Sequence, residues 1–464
     1  HGDDDRIRPH AQGAALAEAT HGSLVTLRGA GHLPESRDPV AVNRLLGDFL
    51  GITRPPPAWT RPRARRRRVL YLSSPIGLGH ARRDVAIADA LRARVPDLEI
   101  DWLAQSPVTR VLEAHGERIH PASADLAGES AHFESEAGEH DLHCFGAWRR
   151  MDEILLANFM VFQELAASER YDLWIGDEAW ELDHFLHENP ELKSAAYVWL
   201  SDFVGWLPMA DGGPREVALT ADHNAEMIEQ IERFPRVRDR AIFIGDPDDV
   251  VDATFGPGLP SIREWTGAHF SFAGYVTGLH PIAGERRPAL RRELGYAPGE
   301  RVCVVTVGGS GVGVPLLHRV LESVEEARRL VDALRVVVVT GPRIDPASLP
   351  AVDGVELHGY RDDLYRHLAA CDLAIVQGGL TTLMELTANG RPFIAFPLGR
   401  HCEQNIHVRH RLARYGAGRF MDFAGATPQA LARAIADEIG REVSYLPVDT
   451  GGALRAAAMI AELL

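Results

Sequence analysis

The stretch 373–405, LAIVQGGLTTLMELTANGRPFIAFPLGRHCEQN, decides the fold of this chain. It begins with a short apolar strand, 373–376, and continues through two glycines into a run of helix-forming residues. A further glycine and a proline end that helix, and Phe393–Phe396 is typical of the next buried strand. The stretch therefore predicts a strand, a turn, a helix and a second strand of one α/β sheet.

The turn between the first strand and the helix is the predicted ligand seat. Two adjacent glycines let backbone N–H groups approach a ligand closely. The start of the helix adds unpaired N–H donors and a partial positive charge, so the turn suits a phosphate group. We expect five consecutive residues to hold the phosphate: Gly378, Gly379, Leu380, Thr381 and Thr382.

Glu385 has two interpretations. Thr382 and Glu385 have the spacing of a capping box, in which the acid only fixes the start of the helix. The glycines ahead of the helix, and the segment 403–405 (Glu-Gln-Asn) after the next strand, favour a ligand-binding role instead.

Together these residues resemble the nucleotide-sugar motif of GT-B glycosyltransferases, a class that includes the small-molecule UDP-glycosyltransferases and the peptidoglycan N-acetylglucosaminyltransferase. The residues that match are Gly379, Thr382, Glu385, Gly390, Pro392, Glu403 and Gln404, with Asn405 directly after them. Gln377 departs from the motif, because UDP-glycosyltransferases usually have a phosphate-binding His at this position. A Gln side chain donates hydrogen bonds but carries no charge.

The resemblance implies that seven further residues contact the donor, in addition to the five residues of the turn. They are Gly309, Ser310, Tyr360, Gln377, Glu385, Glu403 and Gln404. The first two lie in a second strand–glycine–helix unit that reaches the donor phosphate or the sugar in these enzymes, and the tyrosine lies in the loop that edges the nucleobase. Glu385 would accept hydrogen bonds from the ribose, and the pair 403–404 would bind the donor sugar.

The first strand–turn–helix unit of the N-terminal half carries the candidate base. The strand 69–73 leads into the turn 75–80 (PIGLGH), and a helix follows. In GT-B enzymes of these families the equivalent turn also ends in Gly-His, so the resemblance makes His80 the general base for the acceptor hydroxyl. The start of a helix favours a neutral imidazole, which can accept a proton near pH 7. The alternative role of His80 is to cap the helix or to pack the turn.

A base needs an acid that orients it, and the strand 173–176 leads directly to one. Asp177 lies at the carboxyl end of this strand, the edge at which α/β sheets bind ligands. UDP-glycosyltransferases pair an Asp at about this distance with the His, so the resemblance assigns the role to Asp177, with Glu178 in reserve. An ordinary loop carboxylate is the alternative. The aromatic segments 140–148 and 199–208 are expected to shape the acceptor pocket or to belong to the core.

Composition narrows the class of protein. The 464 residues suffice for two or three domains, and a net charge of −16 argues against a nucleic-acid partner. Four cysteines without a C-x-x-C pair fit a reducing, cytoplasmic compartment, and no apolar run approaches the ~18 residues of a membrane helix. The segment 246–248 is a literal Asp-x-Asp, but its glycine- and proline-rich surroundings predict a turn, so we expect no metal dependence.

Residues 1–54 resemble the closing segment of α/β-hydrolases. The segment 23–27 is expected to be a strand and 40–50 a helix, and His32 takes the position of the triad histidine. The chain has no G-x-S-x-G nucleophile elbow, so we expect His32 to be an orphan of a hydrolase module. A chain that begins with His1 instead of Met is expected to be a fragment or a processed piece.

A linker rich in proline and arginine, 55–68, follows this remnant. Three prolines begin the linker, and six arginines lie between 61 and 68. A solvated hinge is the favoured interpretation. The alternative is a peripheral membrane contact on anionic lipid, which would suit a lipid-linked acceptor.

Alternating strands and helices occur twice in the remaining chain. The predicted fold is α/β: a GT-B arrangement of two Rossmann-like parallel-sheet domains facing a cleft, with a short N-terminal extension. We place an acceptor-binding domain at 69–280, an inter-domain linker at 281–300 and a nucleotide-sugar-binding domain at 301–464. The final helix is expected to pack back toward the N-terminal domain.

The predicted function is that of a metal-independent glycosyltransferase that moves a sugar from a nucleoside diphosphate donor to an acceptor hydroxyl. Inversion at the anomeric carbon is the family expectation. The donor is expected to be a UDP or dTDP sugar, with no separate cofactor, and the acceptor a small molecule or a lipid-linked one. A nucleotide-sugar 2-epimerase, an α/β-hydrolase fragment and a binding-only protein remain alternatives.

Overall fold

Two parallel β-sheets organise the computed structural model, which describes residues 1–52 and 66–464. Most of the linker predicted at 55–68, including its prolines and the arginines up to residue 65, lies outside the described residues. The hinge and membrane hypotheses for this linker therefore stay predictions.

The N-terminal segment is helical. Its helices are α1 (His10–Thr20), α2 (Pro34–Arg37) and α3 (Pro39–Leu50). The helix predicted at 40–50 is confirmed as α3, and the Asp38 side chain caps its first turn with a 3.0 Å hydrogen bond. The strand predicted at 23–27 is wrong. This segment forms one bridge, between Leu27 and Gly2, because the described part of the chain offers it no longer strand to pair with.

The N-terminal domain is built on seven parallel strands in the order β3-β2-β1-β4-β5-β6-β7. The strands are β1 (Arg68–Ser73), β2 (Glu99–Leu103), β3 (Arg118–Ile119), β4 (Leu173–Asp177), β5 (Ala196–Ser201), β6 (Arg240–Phe243) and β7 (Ser271–Phe272). The central strands are apolar and buried on both faces, as is typical of a parallel sheet covered by helices. The strand order reverses between β1 and β4, and such a switch point opens a crevice for ligands.

Helices cover both faces of this first sheet. They are α4 (Leu78–Arg94), α5 (Val108–Ala114), α6 (Glu129–Glu136), α7 (Cys144–Trp148), α8 (Asp152–Ser168), α9 (Trp180–Glu188), α10 (Gly213–Arg233) and α11 (Ile262–His269). The Asp-x-Asp segment at 246–248 leads into a one-turn 3₁₀-helix, in which the Asp246 N–H donates to the Asp249 side chain at 2.8 Å, so the predicted turn is confirmed.

The C-terminal domain is built on six parallel strands in the order β10-β9-β8-β11-β12-β13. The strands are β8 (Arg301–Thr306), β9 (Leu334–Val339), β10 (Val355–His358), β11 (Leu373–Gln377), β12 (Phe393–Phe396) and β13 (Arg419–Phe420). The strand predicted at 373–376 extends by one residue, and the strand predicted at Phe393–Phe396 is confirmed at both ends. The quoted stretch therefore forms the predicted strand–turn–helix–strand unit.

The helices of this domain complete the fold. They are α12 (Arg287–Glu293), α13 (Val314–Leu330), α14 (Leu364–Ala370), α15 (Leu380–Ala388), α16 (Arg409–Tyr415), α17 (Pro428–Glu438) and α18 (Gly452–Ala461), with a π-helix at Glu403–Val408. Helix α12 lies inside the segment 281–300 and buries Leu290 in the core of the second domain. Among the described residues, no helix combines the length and the apolar character that a bilayer crossing requires.

The last helix, α18, returns to the N-terminal domain, as predicted. Its Ala456, Ala457 and Ile460 are buried in the same core as Val85 and Leu91 of α4. This packing holds the end of the chain against the helix that carries the candidate base.

Truncation of Ile460 tests how much α18 stabilises the N-terminal domain. Ile460 is fully buried, so Ile460→Ala removes buried carbon atoms and leaves a cavity. We expect the free energy of unfolding to fall by about 2–5 kcal/mol. Leu454→Ala on the same helix is the control, because Leu454 is 61% exposed and its truncation should cost less than about 0.5 kcal/mol. Urea unfolding measures both variants, and equal losses would contradict the packing.

Candidate active site

The carboxyl ends of both sheets face one cavity of 220 Å³ between the domains. Strand ends of this kind are where α/β folds bind ligands. The predicted site residues that line the cavity are His80, Gly309, Ser310, Tyr360, Gln377, Gly379, Leu380, Thr381, Thr382, Glu403 and Gln404. Three others, Asp177, Gly378 and Glu385, lie outside this lining. A larger crevice of 2170 Å³ lies at the amino ends of the first sheet, and none of the predicted site residues lines it.

His80 and Asp177 lie within hydrogen-bond distance of each other. His80 is in the first turn of α4, and Asp177 is the last residue of β4 and is fully buried. Their Nδ1 and Oδ2 atoms are 2.8 Å apart. Because β1 and β4 are neighbouring parallel strands, the turn after one strand and the end of the other meet at the same edge of the sheet.

Arg83 joins this pair from the same helix. Its Nη2 atom lies 2.8 Å from His80 Nδ1 and also contacts Asp177 Oδ1, while its Nε donates to Asp177 Oδ2 at 2.9 Å. A neutral Nδ1 atom cannot donate to the carboxylate and accept from the guanidinium at once. Since Arg83 is already paired with Asp177, we assign the Nδ1 proton to the Asp177 bond, which leaves His80 Nε2 as the proton acceptor.

The pKa of His80 is raised above its ordinary value. Burial and the Arg83 guanidinium lower this pKa, but the Asp177 carboxylate and its hydrogen bond, with Glu178, raise it by more. The helix start was expected to favour the neutral imidazole, so the carboxylates reverse that expectation. Burial raises the pKa of Asp177, but Arg83 and His80 outweigh burial and hold it well below the usual range. An ionised Asp177 therefore supports His80 as a base.

Two further carboxylates surround Arg83. Asp202, which follows β5, forms an ion pair with Arg83, and Glu178 lies 3.6 Å away. Burial and the Asp202 carboxylate raise the pKa of Glu178 to about 8, so Glu178 is mostly protonated at neutral pH. Its backbone φ of 49° is uncommon outside glycine, and such conformations cluster at functional sites.

The start of α15 faces the cavity with free donors. Gly379 is the N-cap residue, and no side chain among the described residues caps this helix, so its first N–H groups remain available. Nothing lies within 4 Å of the place where a Cβ on Gly379 would sit. The capping-box interpretation of Thr382 and Glu385 is wrong, because the helix begins at Leu380 and Thr382 is already its third residue.

Gly378 packs against a side chain and does not line the cavity. A Cβ at this position would overlap the Gln404 side chain, so the missing side chain permits close packing. Gln404 Oε1 accepts a hydrogen bond from the Leu398 N–H at 2.9 Å, which leaves its amide nitrogen as a donor. The buried Oε1 atom of Gln377 has no hydrogen-bond partner among the described residues.

Glu385 lies deeper in α15 and is buried. Burial raises the pKa of this carboxyl to about 7, and Arg82 of α4 lowers it from a distance of 3.8 Å. Glu385 therefore contacts the opposite domain in this structure.

Glu403 and Gln404 begin the π-helix that follows β12. A π-helix is rare in proteins, and those that do occur are frequently found at functional sites. Burial raises the pKa of Glu403 to about 7, although His401 acts in the opposite direction. Near neutral pH Glu403 can therefore both donate hydrogen bonds and accept them, which suits sugar hydroxyls.

The second glycine loop, after β8, contacts the N-terminal domain. Gly309 packs closely against Leu78, since a Cβ at Gly309 would lie 2.7 Å from the Leu78 Cγ atom. The Gly311 N–H donates to Glu134 at 2.8 Å, and Arg343 donates to the same carboxylate at 2.8 Å. Glu134 of the N-terminal domain therefore accepts hydrogen bonds from this loop and from Arg343, which follows β9.

Aromatic side chains form one wall of the cavity. Trp148, Trp180, Phe203 and Trp206 line it, with ring centroids between 5.5 and 6.1 Å apart. The Trp148 Nε1 atom is buried and has no hydrogen-bond partner among the described residues. The wall thus offers an apolar face with one unpaired donor.

Sequence reasoning missed Arg82, Arg83 and Asp202. Arg83 stands three residues after His80, a spacing that places both on one face of a helix. Asp202 directly follows β5, and Asp177 ends the neighbouring strand β4. Because the carboxyl ends of parallel strands meet at one edge of the sheet, the sequence could have predicted that these two acids lie close together.

Comparison with known proteins relates the C-terminal domain to glycosyltransferases. Residues 302–461 match the family described as Glycosyltransferase family 28 C-terminal domain. The chain is similar to an uncharacterized glycosyltransferase, MK0977, of Methanopyrus kandleri, with 29% identity over 194 residues, 42% of this chain and 54% of that protein.

A second relative is the UDP-N-acetylglucosamine–N-acetylmuramyl-(pentapeptide) pyrophosphoryl-undecaprenol N-acetylglucosamine transferase of Clavibacter sepedonicus. The identity is 33% over 203 residues, covering 40% of this chain and 54% of that protein. The chain spans about half the length of the curated relatives it matches, or 36–54% for three of them.

Solved structures confirm the predicted fold. The spinosyn rhamnosyltransferase SpnG complexed with thymidine diphosphate is similar to this chain with a TM-score of 0.52 at 18% identity, covering 85% of this chain and 95% of that one. Two Rossmann-like domains that face a cleft are the GT-B fold, and residues 302–461 match the description Glycosyltransferase family 28 C-terminal domain. The fold and this match relate the chain to the GT-B glycosyltransferases.

Replacement of Asp177 tests the electrostatics of the site. Asp177→Asn removes the carboxylate that raises the pKa of His80 and leaves burial and Arg83, which lower it. We therefore expect the pKa of His80 to fall, so that the imidazole becomes charged only at lower pH. NMR titration of the His80 ring protons measures the change, with the exposed His21 as the internal reference. If the pKa of His80 is the same in the variant and in the wild type, the assigned hydrogen bond is contradicted.

Proposed function

We propose that the chain is a glycosyltransferase that transfers a sugar from a nucleoside diphosphate donor to an acceptor hydroxyl. One observation carries the proposal: His80, 2.8 Å from Asp177, lines the same cavity as the uncapped start of α15. A base for the acceptor and a seat for an anionic leaving group thus face each other, which suits a one-step displacement. The names of the curated relatives support the same activity.

The acceptor is activated on the N-terminal side. His80 Nε2 takes the proton of the acceptor hydroxyl as its oxygen attacks the anomeric carbon. Asp177 stays ionised, holds the Nδ1 proton and stabilises the imidazolium that forms. Attack from the face opposite to the leaving diphosphate inverts the anomeric carbon, so inversion is part of the proposal.

The diphosphate leaves toward the C-terminal side. The first N–H groups of α15 and the hydroxyl groups of Thr381 and Thr382 are its donors, and the helix dipole favours its charge. Glu403 and Gln404 bind the sugar, and Tyr360 edges the base. Thymidine diphosphate in SpnG and the UDP sugar in the name of the Clavibacter relative support a dTDP or UDP sugar as donor.

The aromatic wall of the cavity supports an apolar acceptor. Burial of apolar surface against four aromatic side chains would provide most of its affinity. A small apolar alcohol and a lipid-linked alcohol share this chemistry, and the Clavibacter relative acts, by its name, on an undecaprenol-linked molecule. The four free cysteines support a reducing, cytoplasmic location.

Two alternatives would give different products. A nucleotide-sugar 2-epimerase converts the donor with no acceptor present, so product analysis with donor alone separates it from a transferase. An α/β-hydrolase remnant is supported by one contact, since His32 Nδ1 lies 3.0 Å from Asp5 Oδ2, the acid–histidine part of a hydrolytic triad. Ester hydrolysis that His32→Ala abolishes would support the remnant.

Removal of His80 tests the base. His80→Ala should lower kcat by about 10²–10⁴-fold, because general base catalysis contributes that much. The Kd of the nucleotide should stay near that of the wild type, because His80 acts on the acceptor. A transfer assay and isothermal titration calorimetry measure the two quantities, using the donor that a thermal-shift screen of UDP, dTDP and GDP sugars selects. Undiminished transfer by the variant would exclude His80 as the base.

Replacement of Glu385 tests the ribose contact. Glu385→Gln keeps the size of the side chain but removes a charged acceptor, so nucleotide affinity should fall by about tenfold or more. The melting temperature should not fall, because burial already disfavours the charged carboxyl. Calorimetry and thermal unfolding distinguish the roles. Unchanged affinity with a lower melting temperature would show that Glu385 is structural.

A further inference from the structure

The inter-domain cavity is lined by three arginines, Arg82, Arg83 and Arg361. A nucleoside diphosphate brings several negative charges into such a site, and charge-assisted hydrogen bonds from guanidinium groups are a strong means of holding them. On the C-terminal side, Gln377 ends β11 with an uncharged side chain. Besides His80 and His401, which line the same cavity, the start of α15 and these arginines are the sources of positive charge for the donor.

Two of the three arginines are already neutralised. Arg83 is 4% exposed and forms ion pairs with Asp177 and Asp202. Arg361 forms a two-point pair with Asp363, with distances of 2.8 and 2.9 Å. Pairs of this kind satisfy the guanidinium group and leave little charge for a ligand.

Arg82 is held far less tightly. Its side chain is 20% exposed, and its ion pair with Glu385 has a distance of 3.8 Å, which is too long for a hydrogen bond. Because burial raises the pKa of Glu385 to about 7, this partner carries only part of a charge at neutral pH. Burial raises the pKa of Tyr360, and the nearby Arg82 guanidinium lowers it. The guanidinium group of Arg82 is therefore cationic, weakly paired and open to the cavity.

Arg82 projects from one domain onto the predicted phosphate seat of the other. The starts of α4 and α15 touch, since a Cβ on Gly79 would overlap the Thr381 Oγ1 atom. Glu385 lies four residues after Thr381, which is about 6 Å along a helix. The contact of Gly79 with Thr381 and the 3.8 Å pair of Arg82 with Glu385 place the Arg82 guanidinium beside the first two turns of α15.

We propose that Arg82 is a donor-binding residue that reaches across the cleft and pairs with the diphosphate of the nucleotide. This inference rests on the proposed function. It implies that residues of both domains form the donor site. When a nucleoside diphosphate enters, the guanidinium leaves Glu385 for the phosphates. The freed carboxylate then accepts hydrogen bonds from the ribose, and Arg82 supplies the charge that Gln377 lacks.

Calorimetric titration of four proteins tests this role. The wild type, Arg82→Gln, Arg82→Lys and Arg94→Gln are titrated with the tightest of UDP, dTDP and GDP and with the matching nucleoside. Arg94, exposed at the other end of α4, is the matched control. We expect Arg82→Gln to weaken diphosphate binding about ten- to a hundredfold, whereas Arg82→Lys keeps most of the affinity. Nucleoside affinity should not fall, and Arg94→Gln should bind as the wild type does.

The outcomes separate this inference from the proposed function. If Arg82→Gln binds the diphosphate as well as the wild type, or loses affinity equally for diphosphate and nucleoside, the inference is overturned and the proposed function stands. If the wild type binds none of the three nucleoside diphosphates, both are overturned. Should Arg82→Gln fold poorly, Arg82→Met, which keeps the aliphatic stem, replaces it in the same comparison.

Discussion

The contact between the starts of α4 and α15 is the constraint on which the rest of the structure depends. Each helix follows a buried parallel strand, and the two helix starts approach one cavity from opposite domains. Two helix N-termini that face each other bring partial positive charges together, and an anion between them is the natural complement. The close contact of Gly79 with Thr381 is possible only because Gly79 lacks a side chain.

The two sides of the cavity differ in charge, and this difference assigns their chemistry. The N-terminal side carries Asp177, Glu178 and Asp202 around a single buried guanidinium, Arg83. Burial lowers the pKa of His80, but the Asp177 carboxylate and its hydrogen bond outweigh burial, raise this pKa and make His80 a better proton acceptor. The C-terminal side presents N–H and hydroxyl groups, which favour an anion. A proton acceptor on one side and a seat for a leaving anion on the other match transfer between a nucleophilic hydroxyl and a diphosphate donor.

Much of this architecture could be predicted from the sequence, since strands of a parallel sheet are apolar throughout and are bounded by glycine and proline. The strand at Phe393–Phe396 was predicted to the residue, and the strand at 373–376 to within one. The segment 23–27 is also mostly apolar but forms a single bridge, because a strand also needs a partner that local sequence does not reveal.

The sequence predicted those parts of the candidate site that lie in one local motif. It did not predict contacts between residues from distant parts of the chain. The glycine turn and His80 lie beside recognisable patterns. The pairing of Arg82 with Glu385 joins residues of different domains, and the placement of Gly378 depends on the Gln404 side chain folding back over it. Such contacts are set by how the domains close on each other, and spacing along the chain does not encode that closure.

The most direct test of the central claim is a crystal structure of the protein with a bound nucleoside diphosphate. We expect the phosphates to lie within about 3.2 Å of the N–H groups that begin α15, with His80 on the opposite wall of the same cavity. A nucleotide whose phosphates lie away from the start of α15, or one bound outside this cavity, would contradict the claim.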